Sequence, residues 1–95
     1  MGDAWVYILR CADGSLYTGW STDVGRRLRR HDAGKASRYT ASRLPVELVY
    51  EVALADRSAA RREEARIKGL ARREKLVLIA ELALPPTGRR ARGRS

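Results

Sequence analysis

Three groups of residues in this chain have types and spacing that could carry acid–base and charge-stabilising chemistry. The first sits on a hairpin. If Asp13-Gly14 turns the chain through a three-residue loop with Gly14 left-handed, Cys11 faces Ser15, Tyr7 faces Gly19 and Leu9 faces Tyr17. Strand side chains alternate with a period of two, so Tyr7, Leu9, Tyr17 and Gly19 share one face. The second group sits on a helix, where Val24, Arg27, Leu28 and His31 stand at i, i+3, i+4 and i+7. That spacing marks the face that packs on a sheet, yet two of its four members are Arg and His. Arg26, Arg29 and Arg30 fall elsewhere around the helix, which leaves Arg27 as the arginine aimed at the tyrosines. The plainer alternative is that Arg27 snorkels from the edge of the stripe and pairs with a carboxylate.

Glu64 is the third. Take Ala60 as the centre of the inner face of its helix. At 100° per residue, Ile67 falls at about −20°, Ala71 at about +20° and Glu64 at about +40°. Glu63 lies nearer the margin. Burying a carboxylate without a partner is costly, so Glu64 needs a cation. That cation is either an arginine or a metal ion, and one carboxylate with waters and a phosphate oxygen is a usual Mg²⁺ arrangement. Tyrosines that can orient or deprotonate a nucleophile, an arginine for the charge that develops on phosphorus, and a metal-holding carboxylate are the parts phosphodiester cleavage needs.

The elements that must position these groups can be read in order. Trp5–Arg10 and Leu16–Trp20 are rich in strand formers. Ser21-Thr22-Asp23 offers N-caps for a helix reaching about Asp32, with Gly34 as its stop. Lys35–Leu44 is polar and reads as a loop. After Pro45, Val46–Val52 alternates like a half-exposed strand. Asp56 or Ser58 caps a helix over about Arg57–Leu70, and a last helix runs over about Arg72–Leu82. The expected fold class is α+β, in the order β-β-α-β-α-α, with a small three-stranded sheet covered by helices. Trp20 and Tyr50 are assigned to its core.

Length and charge narrow the function. Ninety-five residues allow one domain, and exclude a dinucleotide-binding domain joined to a substrate domain. One cysteine, Cys11, excludes an internal disulfide and a Cys-rich zinc site, and suits a reducing, cytoplasmic setting. The longest apolar run, Leu76–Ala80, is far short of a membrane span, and the first residues lack the pattern of a signal peptide. Twenty Lys and Arg against eleven Asp and Glu give a net charge of +9, which attracts a polyanion. The expected division is a domain over residues 1–84 and a basic, disordered tail over 85–95, where Arg89, Arg90, Arg92 and Arg94 follow Pro85-Pro86. Candidates for contact with nucleic acid are Arg26, Arg29, Arg30, Lys35, Arg38, Tyr39 and Lys68. Tyr39 could stack on an unpaired base beside Arg38.

Taken in order, Tyr7, the triplet Tyr17-Thr18-Gly19, the helix with Arg27 and the later Glu63-Glu64 resemble the GIY-YIG nuclease superfamily. The stretches Tyr17–His31 and Glu63–Lys68 are most similar to its small stand-alone bacterial, excinuclease-like members. The resemblance spans about Trp5 to Leu78. It implies a compact α/β fold with a three-stranded antiparallel sheet, and metal-dependent cleavage of DNA with Mg²⁺ or Mn²⁺. It further implies structure- or damage-related DNA processing, as in DNA repair. Carried over by position, Tyr7 and Tyr17 match the two motif tyrosines, Gly19 the glycine closing the second triplet, Arg27 the helix arginine and Glu64 the metal-binding glutamate. In the family one tyrosine orients or deprotonates the attacking water and the arginine stabilises transition-state charge. His31 matches a histidine common after that arginine and is given no catalytic role. The first triplet is Trp5-Val6-Tyr7, so its glycine and isoleucine are replaced. The chain has no asparagine to match the one found in some larger members. Two other readings stay open: a non-catalytic nucleic-acid-binding module, and a nuclease subunit active only with a protein partner. RNA stays open as the substrate, and a membrane is not expected as a partner.

Overall fold

The computed structural model describes residues 3–82. The basic segment expected over 85–95 lies outside them. The order is β1 (Ala4–Arg10), β2 (Leu16–Ser21), α1 (Val24–Asp32), α2 (Arg38–Ala41), β3 (Glu47–Leu54), α3 (Arg57–Lys68) and α4 (Arg72–Leu82). The three strands form an antiparallel sheet in the order β2-β1-β3, so the first strand is central and the second is an edge.

The hairpin forms in the expected register, with Tyr7 opposite Gly19 and Leu9 opposite Tyr17. Cys11 N–H donates to the Ser15 carbonyl at 2.8 Å, and Gly14 takes φ +85°, the left-handed turn position that glycine adopts without strain. Asp23 caps α1 by accepting from Arg26 N–H at 3.0 Å, a contact worth about 1 kcal/mol. Gly34, at φ +75°, stops that helix. Asp56 caps α3 by accepting from Ala59 N–H at 2.8 Å.

Two cores lie on the two faces of the sheet. Val6, Ile8 and Tyr50 pack against Ala60 and Ile67 of α3 and Ile79 of α4, with Trp20 partly buried beside them. Tyr7 and Leu9 face the other way, against Val24, with Leu28, Tyr17 and Leu48 around them. The sheet is thus covered by α3 and α4 on one side and by α1 on the other. Both α1 and α3 touch β2, so polar residues from the two helices can meet at the edge strand.

Two features depart from the sequence reading. The polar stretch 35–44 contains a single helical turn, α2, whose first N–H groups are capped by the Ser37 side chain bonding Tyr39 N–H at 3.1 Å. The third strand is not strictly alternating. Its register with β1 shifts between Ile8, opposite Tyr50, and Leu9, opposite Leu48. The extra residue, Val49, turns Leu48 to the Tyr7 face and Tyr50 to the helix-packed face, although the two are an even distance apart.

Candidate active site

The site begins where β1 and β2 pair. The Tyr7 ring lies across the backbone of Gly19. A Cβ added at Gly19 would come within 2.6 Å of the Tyr7 hydroxyl oxygen and 2.7 Å of the ring carbon bearing it. Glycine is required here for space. Its absent side chain lets the phenol cross the edge strand and stay 1% exposed.

His31 comes from the inner stripe of α1 and is fully buried. Its Nε2 lies 3.0 Å from the Tyr7 hydroxyl and its Nδ1 lies 2.8 Å from the Thr40 hydroxyl. The imidazole also meets the rings of Tyr7 and Tyr17 edge to face, with centroids 5.8 and 5.2 Å apart. Tyr17 is half-buried and stacks on Tyr39 at 6.1 Å. Burial, reinforced by the charge of Arg27, holds the His31 pKa below the ordinary histidine value, with Asp32 opposing weakly.

The Tyr7 hydroxyl also feels two charged side chains. Its pKa is pushed up to about 12, first by burial and then by Tyr17, with Glu64 adding to the rise and the Arg27 guanidinium holding it down. Arg27 is half-buried while Arg26, Arg29 and Arg30 are exposed, as the helical spacing predicts. Glu64, on α3 with its side chain 22% exposed, lies close enough for its charge to reach the Tyr7 hydroxyl. The structure therefore brings Tyr7, Tyr17, Gly19 and His31 into contact, and the charges of Arg27 and Glu64 act on the same Tyr7 hydroxyl.

Glu63 and Glu64 part company. Glu63 is gripped by Arg66, whose Nε and Nη2 donate at 2.9 and 2.6 Å, and these bonds hold its pKa below the usual carboxylate range. Glu64 meets Lys68 Nζ at 3.4 Å. Its protein partner is thus a lysine one turn on, where the sequence reading offered an arginine, because positions i and i+4 meet on a helix. No cluster of three potential ligand side chains occurs among the described residues. A half-buried carboxylate with one loose partner among the described residues, whose charge reaches the Tyr7 phenol, fits a hard cation that takes its remaining ligands from water and phosphate.

The residues expected on the nucleic-acid surface are exposed, from Arg26, Arg29 and Arg30 to Lys35, Arg38 and Lys68. Arg30 Nη2 donates to the Lys35 carbonyl at 3.1 Å. Tyr39 is exposed, and the guanidinium of Arg43 lies over its ring, 3.9 Å from the centroid. The α2 turn returns Arg43 to Tyr39, where its Nη1 donates to the Tyr39 carbonyl at 2.9 Å. Between β2, α3 and α4 runs a groove of about 270 Å³ lined by Leu16, Tyr17, Thr18, Tyr39, Lys68 and Lys75.

Sequence reasoning missed Thr40, which is fully buried against His31. It missed Thr18 as well, whose buried hydroxyl has no hydrogen-bond partner among the described residues. Nothing in a stretch read as a loop distinguishes Thr40 from its neighbours.

Comparison with known proteins shows the family and the fold. The GIY-YIG catalytic domain family matches residues 3–76. The UPF0213 protein SAG0778 of Streptococcus agalactiae is 47% identical over 78 residues, covering 82% of this chain and 89% of that protein. A UPF0213 protein of Natronomonas pharaonis is 48% identical over 79 residues, covering 83% and 93%. The solution structure of the UPF0213 protein BH0048 of Bacillus halodurans superposes with a TM-score of 0.57 at 44% identity, over 86% of this chain and 87% of that one.

Proposed function

This chain belongs to the GIY-YIG family, a nuclease family, and from that membership we propose that it is an endonuclease hydrolysing phosphodiester bonds in DNA with Mg²⁺ or Mn²⁺. The observation that carries the reading is the Tyr7 hydroxyl. It is buried over Gly19, bonded to His31 Nε2, and subject to the charges of Arg27 on α1 and Glu64 on α3.

The division of labour follows from the donors and acceptors. A phenol pushed up to about 12 is a weak base at neutral pH unless its own proton can leave. His31 Nε2, kept unprotonated by burial, receives that proton as the Tyr7 oxygen takes one from the attacking water. The new P–O bond then forms while the bond to the leaving oxygen breaks. Arg27 faces the negative charge that gathers on the phosphate oxygens. Tyr17 holds the His31 ring edge-on and shields it from water. Glu64 is the residue that would hold the metal ion, which when bound supplies positive charge to the phosphate and the leaving oxygen. Exposed Arg26, Arg29 and Lys35 suit contact with the DNA backbone. Processing of damaged or branched DNA inside the cell is the biological setting we assign to it.

The direct test is incubation of the purified chain with branched, flapped, single-stranded and duplex DNA, with and without Mg²⁺ or Mn²⁺. Metal-dependent cleavage that disappears in Glu64→Gln and Tyr7→Phe supports the reading. Tight binding without cleavage of any of these substrates would favour the binding module.

A further inference from the structure

His31 is the single histidine of the chain, and it is buried between two hydroxyl groups. A neutral imidazole carries one ring proton, so one nitrogen donates and the other accepts. Two contacts decide which. Thr40 Oγ1 lies 3.3 Å from the Ser37 carbonyl oxygen, which can only accept. If the single Thr40 proton goes to that carbonyl, the Thr40 oxygen accepts from His31 Nδ1–H at 2.8 Å. In the reverse tautomer the Thr40 proton would point to Nδ1, and two oxygens would face each other with lone pairs only. Tyr7 gives the second reason. Its charged neighbour Arg27 can only donate. With Nε2 bare, the Tyr7 O–H donates to it and keeps its lone pairs for Arg27. With Nε2 protonated, Tyr7 would face two donors and its own proton would lose this partner.

We infer that Thr40 is a positioning residue for the proposed reaction: its hydroxyl holds His31 as the Nδ1–H tautomer and leaves Nε2 to receive the Tyr7 proton. The helical turn α2 serves this end. Ser37 caps it, and Ser37's carbonyl lies within bonding distance of the Thr40 hydroxyl. The relay runs from Tyr7 O–H to His31 Nε2, and from His31 Nδ1–H through Thr40 to a backbone carbonyl. Each member donates once along the line. The inference rests on Tyr7 acting as the base, but the tautomer itself can be read without substrate or metal.

The test is a long-range proton–nitrogen NMR correlation on the ¹⁵N-labelled full chain at neutral pH. A single histidine makes the signal unambiguous. The expected spectrum shows a protonated Nδ1 and an unprotonated Nε2. Thr40→Val, checked for folding by its amide spectrum, should shift the ring toward the Nε2–H form. It should also lower the single-turnover rate at saturating DNA by about 10²-fold or more, because the wrong tautomer disables proton transfer. DNA affinity should stay as it was. Thr40→Ser keeps the hydroxyl and should restore both the tautomer and most of the rate. A wild-type ring protonated at Nε2, or a Thr40→Val ring indistinguishable from wild type, would overturn the inference. If the wild-type chain cleaves no DNA but carries the Nδ1–H ring that Thr40→Val loses, the hydrolase reading falls and the Thr40–His31 assignment stands.

Discussion

The Tyr7 hydroxyl occupies the space in which a side chain at residue 19 would begin. A Cβ there would stand 2.6 Å from the oxygen, so Gly19 and Tyr7 act as one unit. Gly19→Ala should therefore displace the ring and its bond to His31. We expect a stability loss of about 1–3 kcal/mol from overpacking, and a fall in single-turnover rate of about 10²-fold from misplacing the base by an ångström or so. Gly14→Ala is the control. Its added Cβ meets open space, but its φ of +85° makes alanine strained, so it should cost about 1–2 kcal/mol with no change in rate. Chemical denaturation and rapid-quench kinetics on both variants separate the two effects.

Arg27 and Arg29 differ by two positions and by surroundings. Arg27 is half-buried and acts on Tyr7, whereas Arg29 is exposed. Arg27→Ala should lower the chemical step by about 10²–10³-fold, the usual cost of one transition-state charge stabiliser, with little change in affinity. Arg29→Ala should do the reverse, weakening binding modestly and leaving the saturating rate close to wild type. Equal losses of rate in both would mean that α1 is only a basic patch.

Among the described residues, Lys68 is the cation paired with Glu64, at 3.4 Å. A divalent ion must share or displace it. Lys68→Ala should therefore tighten binding of Mn²⁺, measured by calorimetry, while Glu64→Gln should remove it. Mn²⁺ affinity that is the same in wild type, Lys68→Ala and Glu64→Gln would place the metal elsewhere.

His31 should set a pH dependence of stability. Its folded pKa is held below its unfolded value of about 6.5, so the unfolded chain takes up a proton that the folded chain refuses. This contribution is complete above about pH 6.5 and is lost as pH falls below it, by up to about 1.4 kcal/mol per pH unit. Asp13 and Glu63, whose pKa values are also lowered, act in the more acid carboxylate range and leave the interval from about pH 5 to 6.5 to His31. Urea unfolding across this interval should show the slope in wild type and its loss in His31→Gln. A flat wild-type profile would contradict the buried neutral imidazole.

The parts of this site that follow a local period were legible in the sequence. The two-residue alternation put Tyr7 and Gly19 on one face, and the helical period separated Arg27 from its arginine neighbours. Strand order, and with it the crossing of the Tyr7 ring over an edge strand, has no local signature. Thr40 was illegible for a related reason. Its role depends on a contact with His31 nine residues away, made by a single helical turn inside a polar stretch that reads as loop. The bulge at Val49 escaped because alternation assumes unbroken pairing with the neighbouring strand, and that pairing is set by β1. Glu64's partner was misjudged by favouring arginine over the lysine one turn further along the same helix.

The central claim is that Tyr7, Arg27 and Glu64 form a working hydrolytic centre around one hydroxyl. The most direct measurement is single-turnover cleavage of end-labelled DNA by the full chain in Mn²⁺, compared with Tyr7→Phe. This change removes one oxygen and keeps the ring that packs over Gly19. The account predicts metal-dependent cleavage by wild type and a loss of about 10²-fold or more in Tyr7→Phe, as expected for a missing general base, with DNA affinity unchanged and the fold retained. Cleavage at the wild-type rate by Tyr7→Phe would contradict it.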